Sequence, residues 1–238
     1  MISLNIPRIK QTDKACGPTA LLQVLKYYGF QKTLNELIPE LKIPEEEVKT
    51  QGYAEGTIGL YALDQGFNVK MISYDTKRFD PTWNYNREEI HTNLERQLEF
   101  LELATEDDFL NGYASEYKKI TTLRLVDFMK HKNAEIEFKP ISMKLIEDYL
   151  LKKIPVIAIV NTCLFYSSKR RYKGTKDEIK GKEYGHVIVI SGFDDYNYEI
   201  TDPDDDFEKL GKFKIEKNKL INCIVQYGPV LLIIYPKN

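Results

Sequence analysis

The spacing of apolar positions changes along this chain, from helical in the first part to strand-like in the last part. From Gly17, apolar residues recur at the spacing of an amphipathic helix, which Gly29 ends. The same spacing predicts two further helices at 33–41 and 57–65, and the apolar run at 68–74 predicts a strand. The N-terminal third is therefore predicted to be mainly helical.

The middle of the chain, about residues 75–140, is rich in Glu, Lys, Tyr and Leu and poor in β-branched residues. Ile90 and Leu94 mark one helix by their spacing, and Val126 and Met129 mark another. We interpret this stretch as a helical insertion.

The last part of the chain contains one helix and then short apolar runs that are rich in β-branched residues. The helix is predicted near 142–152, and the runs lie at 155–161, 186–193, 198–201 and 230–235. Helices followed by strands favour an α+β fold, with the N-terminal helix packed on a mainly antiparallel sheet. We expect residues 1–238 to form one domain that carries the insertion.

Composition excludes several classes of protein. Apolar residues make up 42% and charged residues 29%, which is typical of a globular protein that buries a core without disulfides. The formal net charge of −2 provides no basic excess for nucleic acid or for an anionic membrane. The apolar runs are too short to span a bilayer. We therefore expect neither a nucleic-acid nor a membrane partner, and the oligomeric state is not predicted.

The cysteines and the first residues of the chain indicate the cellular compartment in which the protein is found. Three cysteines are an odd number at unrelated spacings, which favours free thiols in a reducing compartment. The first residues do not have the pattern of a signal peptide. These features predict a cytoplasmic location.

Cys16 stands at the predicted start of the first helix, after the polar stretch Gln11–Lys14. A helix N-terminus favours a thiolate, the nucleophilic form of cysteine, because its unpaired N–H groups carry partial positive charge. Pro18 suits the first turn, where its missing N–H costs nothing. The alternative is a small residue packed against the sheet. Cys163 and Cys223 occupy settings more typical of packing, so Cys16 is the candidate nucleophile.

His186 is the best candidate for a general base. It opens the apolar run of a predicted strand, where a ring has a fixed position and a tunable pKa, whereas His91 and His131 lie in charged, surface-like helical segments. A base also needs a third group to orient it. Asp202 follows the strand that pairs with that of His186 in a predicted hairpin, so the two side chains are expected to meet. A strand-end histidine bonded to a loop carbonyl is the alternative.

The acidic run after this strand raises the question of a metal. Asp202, Asp204 and Asp206 alternate as in a calcium loop, but Phe207 stands where that pattern requires Gly. No Cys and His spacing is typical of zinc. We predict no metal and no cofactor.

Four elements in this order resemble the C39-like branch of the papain-fold cysteine peptidases: Gln11, Cys16-Gly-Pro-Thr-Ala-Leu, Gly185-His186 and Asp202-Pro203. The resemblance covers the two ends of the chain and leaves its middle unexplained. It implies a papain-like fold in which Cys16 is the nucleophile, His186 the base and Asp202 the orienting group. It also implies that Gln11 donates its side-chain N–H to the oxyanion, together with the backbone N–H of Cys16.

Three functions remain open from the sequence. The first is a cysteine peptidase or amidohydrolase that cleaves a peptide or peptide-like amide through a thioester acyl-enzyme. The second is an acyltransferase, since an amine or a thiol can capture the same acyl-enzyme. The third is a non-catalytic binding module, against which the complete set of Cys, His and Asp argues. The expected partner is a peptide or peptide-like substrate, of unpredicted specificity.

Overall fold

The computed structural model describes residues 1–83, 86–204 and 211–237, and the elements below lie within them. The helices are α1 Cys16–Tyr27, α2 Leu34–Glu40, α3 Glu45–Gln51, α4 Glu55–Asp64, α5 Arg87–Leu103, α6 Glu106–Leu110, α7 Glu116–Lys130, α8 Met143–Leu151, α9 Thr162–Tyr166 and α10 Lys217–Val225. The strands are β1 Ile2–Ser3, β2 Phe67–Ser73, β3 Ala134–Phe138, β4 Val156–Asn161, β5 Arg171–Tyr172, β6 Thr175–Lys176, β7 Gly185–Phe193, β8 Asn197–Thr201, β9 Lys212–Glu216 and β10 Val230–Pro236. None of these helices is both long and apolar enough to cross a lipid bilayer.

Eight of these strands form one sheet, in the order β3-β2-β10-β4-β7-β8-β9, with β1 paired to β7. The strands pair antiparallel apart from β2 and β3, which run parallel. The last strand, β10, lies between β2 and β4, so both halves of the chain contribute to the centre of the sheet. The predicted α+β fold with a mainly antiparallel sheet is confirmed.

Helix α1 packs on β7 and also contacts α2 and α4. Its residues from Gly17 to Leu25 are all buried, including two polar ones. One of these, Gln23, donates from Nε2 to the carbonyl of Ile9 at 3.1 Å. The predicted packing of this helix on the sheet is confirmed, but the predicted polar face is wrong, because α2 and α4 cover that side as well.

The middle segment contains helices α5, α6 and α7, as its composition predicts, and it also contains the strand β3. This strand was not predicted, because the composition of the middle segment favoured helices, although Ala-Glu-Ile-Glu-Phe has the alternation of an edge strand. Ile90, Leu94, Phe128 and Met129 join the same hydrophobic core as α1 and the sheet. The segment is therefore packed against the rest of the chain, and its description as an insertion stays a prediction.

The residues before α1 run along the sheet toward the nucleophile candidate. Ile2 pairs with Phe193 of β7, and the N–H of Leu4 donates to the carbonyl of Ser191 at 2.7 Å. A Cβ atom on Gly192 would lie 2.4 Å from the carbonyl oxygen of Ile2, so only glycine permits this approach. The N-terminal stretch is thus anchored to the strand that carries His186.

Candidate active site

Cys16 is the first residue of α1, and the turn before it leaves the helix N-terminus open. Ala15 occupies the N-cap position and makes no side-chain cap hydrogen bond. The N–H groups of the first turn therefore remain available to a negative charge at the sulfur. Lys14, just before the cap, has a φ of 55°, a left-handed conformation that is uncommon for a residue with a side chain and often marks functional turns.

His186 and Asp202 meet as the sequence predicts. His186 lies near the start of β7, opposite Val160 of β4, and is buried. Asp202 directly follows β8, which pairs with β7, and is only 1% exposed. His186 Nε2 lies 2.7 Å from Asp202 Oδ1. A carboxylate can only accept here, so Nε2 carries the proton and Nδ1 is left for a second partner.

That second partner is the thiol of Cys16, which lies within hydrogen-bonding reach of the His186 ring. Burial on its own raises the pKa of the thiol, but the hydrogen bond and charge of His186 lower it overall, helped by the N–H groups of Val187 and Gly17. Burial lowers the pKa of His186, but hydrogen bonds and charges from Asp202 and Cys16 raise it overall to about 10. Both shifts favour the ion pair of thiolate and imidazolium over the pair of neutral groups.

Tyr166 is a member of this cluster that the sequence analysis missed. Its hydroxyl donates to Asp202 Oδ2 at 2.6 Å, and its ring lies 5.8 Å from that of His186. The N–H of Asp204 donates to Asp202 Oδ1 at 2.9 Å. Asp202 is thus held on both oxygens and faces the histidine. Asp206, considered for calcium, lies outside the described residues.

Gln11 is placed beside the Asp202 segment. Its backbone N–H donates to the carbonyl of Pro203 at 2.9 Å. Its side-chain oxygen is buried and has no hydrogen-bond partner among the residues that the structure describes. The side-chain oxygens of Gln23 and Gln97 are in the same state, so this feature does not distinguish Gln11. The role of Gln11 as an oxyanion donor stays a prediction.

The other two cysteines are free thiols in different settings. Cys223 is buried in α10, and Cys163 is half-buried in α9. Burial, with a contribution from the negative charge of Glu183, raises the pKa of Cys163. Unlike Cys163, Cys16 has a lowered thiol pKa and a histidine partner.

Alkylation by iodoacetamide is expected to separate these thiols by their pH dependence. At about pH 6 we expect Cys16 to react about tenfold or more faster than Cys163, because the pKa of the Cys16 thiol is lowered and that of Cys163 is raised. From pH 6 to 9 the Cys163 rate should rise more steeply than the Cys16 rate. Mass mapping of the labelled peptides measures both, and parallel pH profiles would refute the ion pair.

Tyr227 supports the start of β7 and was also missed. A Cβ atom on Gly185 would lie 2.3 Å from Cε1 of the Tyr227 ring. Burial raises the pKa of Tyr227, and the N–H of Gly185 bonds to its hydroxyl. The negative charge of Cys16 contributes to the same shift, which places the tyrosine near the thiol. The glycine before His186 is therefore required by packing.

Gly185→Ala is expected to destabilise the protein by about 1–3 kcal/mol, because the half-buried Tyr227 ring leaves no room for a methyl group. Urea unfolding measures the loss. Adding Tyr227→Ala should recover part of it, since the clash is removed. Equal losses in the single and double variants would show that the ring is not the obstacle.

Comparisons with known proteins give structural neighbours only. No family model matches the chain, and no curated protein sequence matches it. The peptidase domain of Streptococcus ComA, a bifunctional ABC transporter, is 17% identical over 98% of this chain and 100% of that chain, with a TM-score of 0.47. A C39-like peptidase from Bacillus anthracis is 15% identical over 100% and 98%, with a TM-score of 0.45.

A double-glycine-motif protease from an AMS/PCAT transporter, solved with a leader peptide, is 14% identical over 99% of this chain and 94% of that chain. Its TM-score is 0.46. Structural similarity at this level does not indicate the chemistry of this chain. Of these three structures, two are peptidases from transporters and one is described as C39-like.

Proposed function

We propose that this protein is a cysteine-dependent hydrolase that cleaves a peptide or peptide-like amide through a thioester acyl-enzyme. The observation that carries the proposal is the unbroken contact from Cys16 through His186 to Asp202, with Nε2 bonded to the carboxylate at 2.7 Å. A thiol, a base and an orienting group in this order are the parts of nucleophilic acyl chemistry. A structural cysteine has no need of a buried imidazolium beside it.

The reaction begins with attack of the Cys16 thiolate on the carbonyl carbon, which forms the C–S bond and moves an electron pair onto oxygen. As the tetrahedral intermediate collapses, His186 gives its Nδ1 proton to the leaving amine and the C–N bond breaks. A thioester remains. Neutral His186 then takes a proton from water, the hydroxide attacks the thioester, and the acid product leaves as the thiolate and imidazolium are restored. Asp202 accepts the Nε2–H of His186 throughout the reaction, which leaves Nδ1 as the atom that gains and loses the proton.

The developing oxyanion needs donors on the Cys16 side of the cleft. We assign this role to the backbone N–H of Cys16 and to the side-chain amide of Gln11, as the sequence resemblance implies. The hydrogen bond from the backbone N–H of Gln11 to the carbonyl of Pro203 supports this assignment, because it fixes the position of the glutamine beside the residues that follow Asp202.

Gln11→Ala is expected to lower kcat by roughly 10²-fold with little change in KM, because an oxyanion donor acts mainly in the transition state. The alkylation rate of Cys16 by iodoacetamide should stay within about twofold, since the thiolate does not depend on Gln11. Steady-state kinetics and labelling on the same preparation separate the two effects. A slower alkylation that parallels the loss of kcat would mean that Gln11 only supports the loop.

The test of the proposal is trapping of Cys16 by a peptidyl chloromethyl ketone, followed by mass mapping, with His186→Ala as the control. Labelling at Cys16 that depends on His186 supports acyl chemistry, and equal labelling of both proteins refutes it. A peptide library, with and without hydroxylamine, then distinguishes hydrolysis from acyl transfer. Failure to turn over or acylate with any peptide would favour a binding module. A cytoplasmic location stays a prediction.

A further inference from the structure

A basic segment lies between α9 and the strand that carries His186. We call residues 167–184, which contain the β5–β6 hairpin, the basic hairpin. It holds seven Lys or Arg residues against three acidic ones, a formal charge of +4. The whole chain carries −2, so the rest of the chain carries −6. This concentration of positive charge has no role in the chemistry described above.

The acidic side chains of the basic hairpin are already engaged. The carboxylate of Asp177 accepts the N–H groups of the turn that follows it. Glu178 forms an ion pair with Lys169, and Glu183 accepts from Asn161 Nδ2 at 2.8 Å. These three acids therefore leave most of the cationic side chains without a counter-charge.

Four exposed lysines carry this excess charge: Lys173, Lys176, Lys180 and Lys182. None of them has a carboxylate partner among the residues that the structure describes. The ammonium groups of Lys173 and Lys180 lie 5.4 and 6.0 Å from the centre of the Tyr172 ring, which orders them but leaves their charge in place.

The basic hairpin is tied to the candidate active site at its base. Arg171 and Lys182 exchange two backbone hydrogen bonds, of 3.1 and 2.9 Å. The guanidinium of Arg171 stacks over the Tyr184 ring at 5.2 Å, and the carbonyl of Tyr184 accepts the N–H of Thr162 at 3.0 Å. Tyr184 is two residues from His186. These contacts hold the positively charged hairpin in a fixed position next to His186.

We propose that the basic hairpin binds acidic residues of the substrate on the leaving-group side of the cleaved bond. This inference rests on the proposed function. The leaving amine takes its proton from His186, so the residues C-terminal to the cleaved bond leave the cleft at the His186 end of the sheet. The basic hairpin arises at that end. Acidic substrate residues at that end lie near lysines that have no carboxylate partner among the described residues. The attraction between the opposite charges increases both the association rate and the affinity of the substrate.

An acidic peptide fits the basic hairpin better than a nucleic acid does. Tight binding of a nucleic acid requires many phosphate contacts along an extended basic surface. Here the net positive charge of +4 lies in one hairpin, whereas the remainder of the chain has a net charge of −6.

Two peptides that are identical except for three Glu or three Gln residues on the leaving-group side provide the test. We expect the Glu peptide to bind the Cys16→Ala protein about fivefold or more tightly, with the advantage lost at 0.5 M NaCl, since exposed charges are screened. Fluorescence anisotropy measures binding without turnover. The same preference should appear in kcat/KM of the wild-type enzyme.

The double variant Lys176→Glu/Lys182→Glu should lose the preference for the Glu peptide. The control variant Lys130→Glu/Lys132→Glu, which reverses the same number of charges elsewhere, should keep it. Lys130 ends α7 and Lys132 lies between α7 and β3, the strand at the far edge of the sheet. Equal binding of both peptides, or equal loss in both variants, overturns the inference. Hairpin-dependent binding of anionic vesicles or of single-stranded DNA, without a preference for the Glu peptide, also overturns it. Absence of cleavage with the binding preference intact would count only against the proposed function.

Discussion

Replacing Cys16 with alanine is expected to remove turnover of a peptide substrate by a factor of at least about 10⁴, as expected for loss of a covalent nucleophile. The cause is direct, because the sulfur at the start of α1 forms the bond to the acyl group. The fold should be unchanged, since the side chain is half-buried and lies at the helix end. Initial rates and a urea unfolding curve on the same protein measure both outcomes.

Cys163→Ala is the matched control for this experiment. Cys163 is also half-buried and near the start of a helix, but the pKa of its thiol is raised and it has no histidine partner. We expect its replacement to leave kcat/KM within about twofold, since it removes no reacting group. If the two alanine variants lost activity equally, Cys16 would not be the nucleophile.

Asp202→Asn is expected to lower kcat/KM by about 10²–10³-fold while the protein still folds. The comparable change in a serine triad costs about 10⁴, and the effect should be smaller here because the pKa of the Cys16 thiol is already lowered beside His186. An amide has one acceptor oxygen in place of two, so it cannot serve Tyr166, Asp204 and the imidazole N–H together. Steady-state kinetics with a fluorogenic peptide measure the loss.

The same variant should narrow the pH range over which Cys16 is rapidly alkylated. Loss of the Asp202 charge lowers the pKa of His186 from about 10, so the imidazolium is lost at lower pH. With less imidazolium beside it, the pKa of the Cys16 thiol rises, so the thiolate appears at higher pH. Asp204→Asn should move neither limit by much. If Asp204→Asn had the larger effect, the orienting carboxylate would have been assigned to the wrong residue.

The parts of the fold that the sequence predicted are those with strong periodic signals. The buried strands β4, β7 and β10 consist of apolar, largely β-branched runs, and α1 shows helical spacing. The two-residue strands β1, β5 and β6 are too short for any periodicity. Strand β9 was not predicted, because it has only two apolar residues, Phe213 and Ile215, and is too short for a clear period.

The candidate site was predictable where residue types are scarce. With three cysteines and three histidines in the chain, helix and strand context was enough to choose Cys16 and His186. Tyr166 and Tyr227 could not be chosen in this way, because the chain has sixteen tyrosines and neither lies in a distinctive pattern. Their importance comes from tertiary contacts, with Asp202 in one case and Gly185 in the other.

The contact between α1 and β7 joins the beginning of the chain to a part that the ribosome makes much later. During synthesis, Cys16 emerges long before His186, and contacts between such distant residues form late in folding. Until then the cysteine has the ordinary reactivity of a free thiol. Reactivity of the cysteine is thus delayed until the last strands are in place, so the nascent chain carries no activated nucleophile that could attack neighbouring proteins.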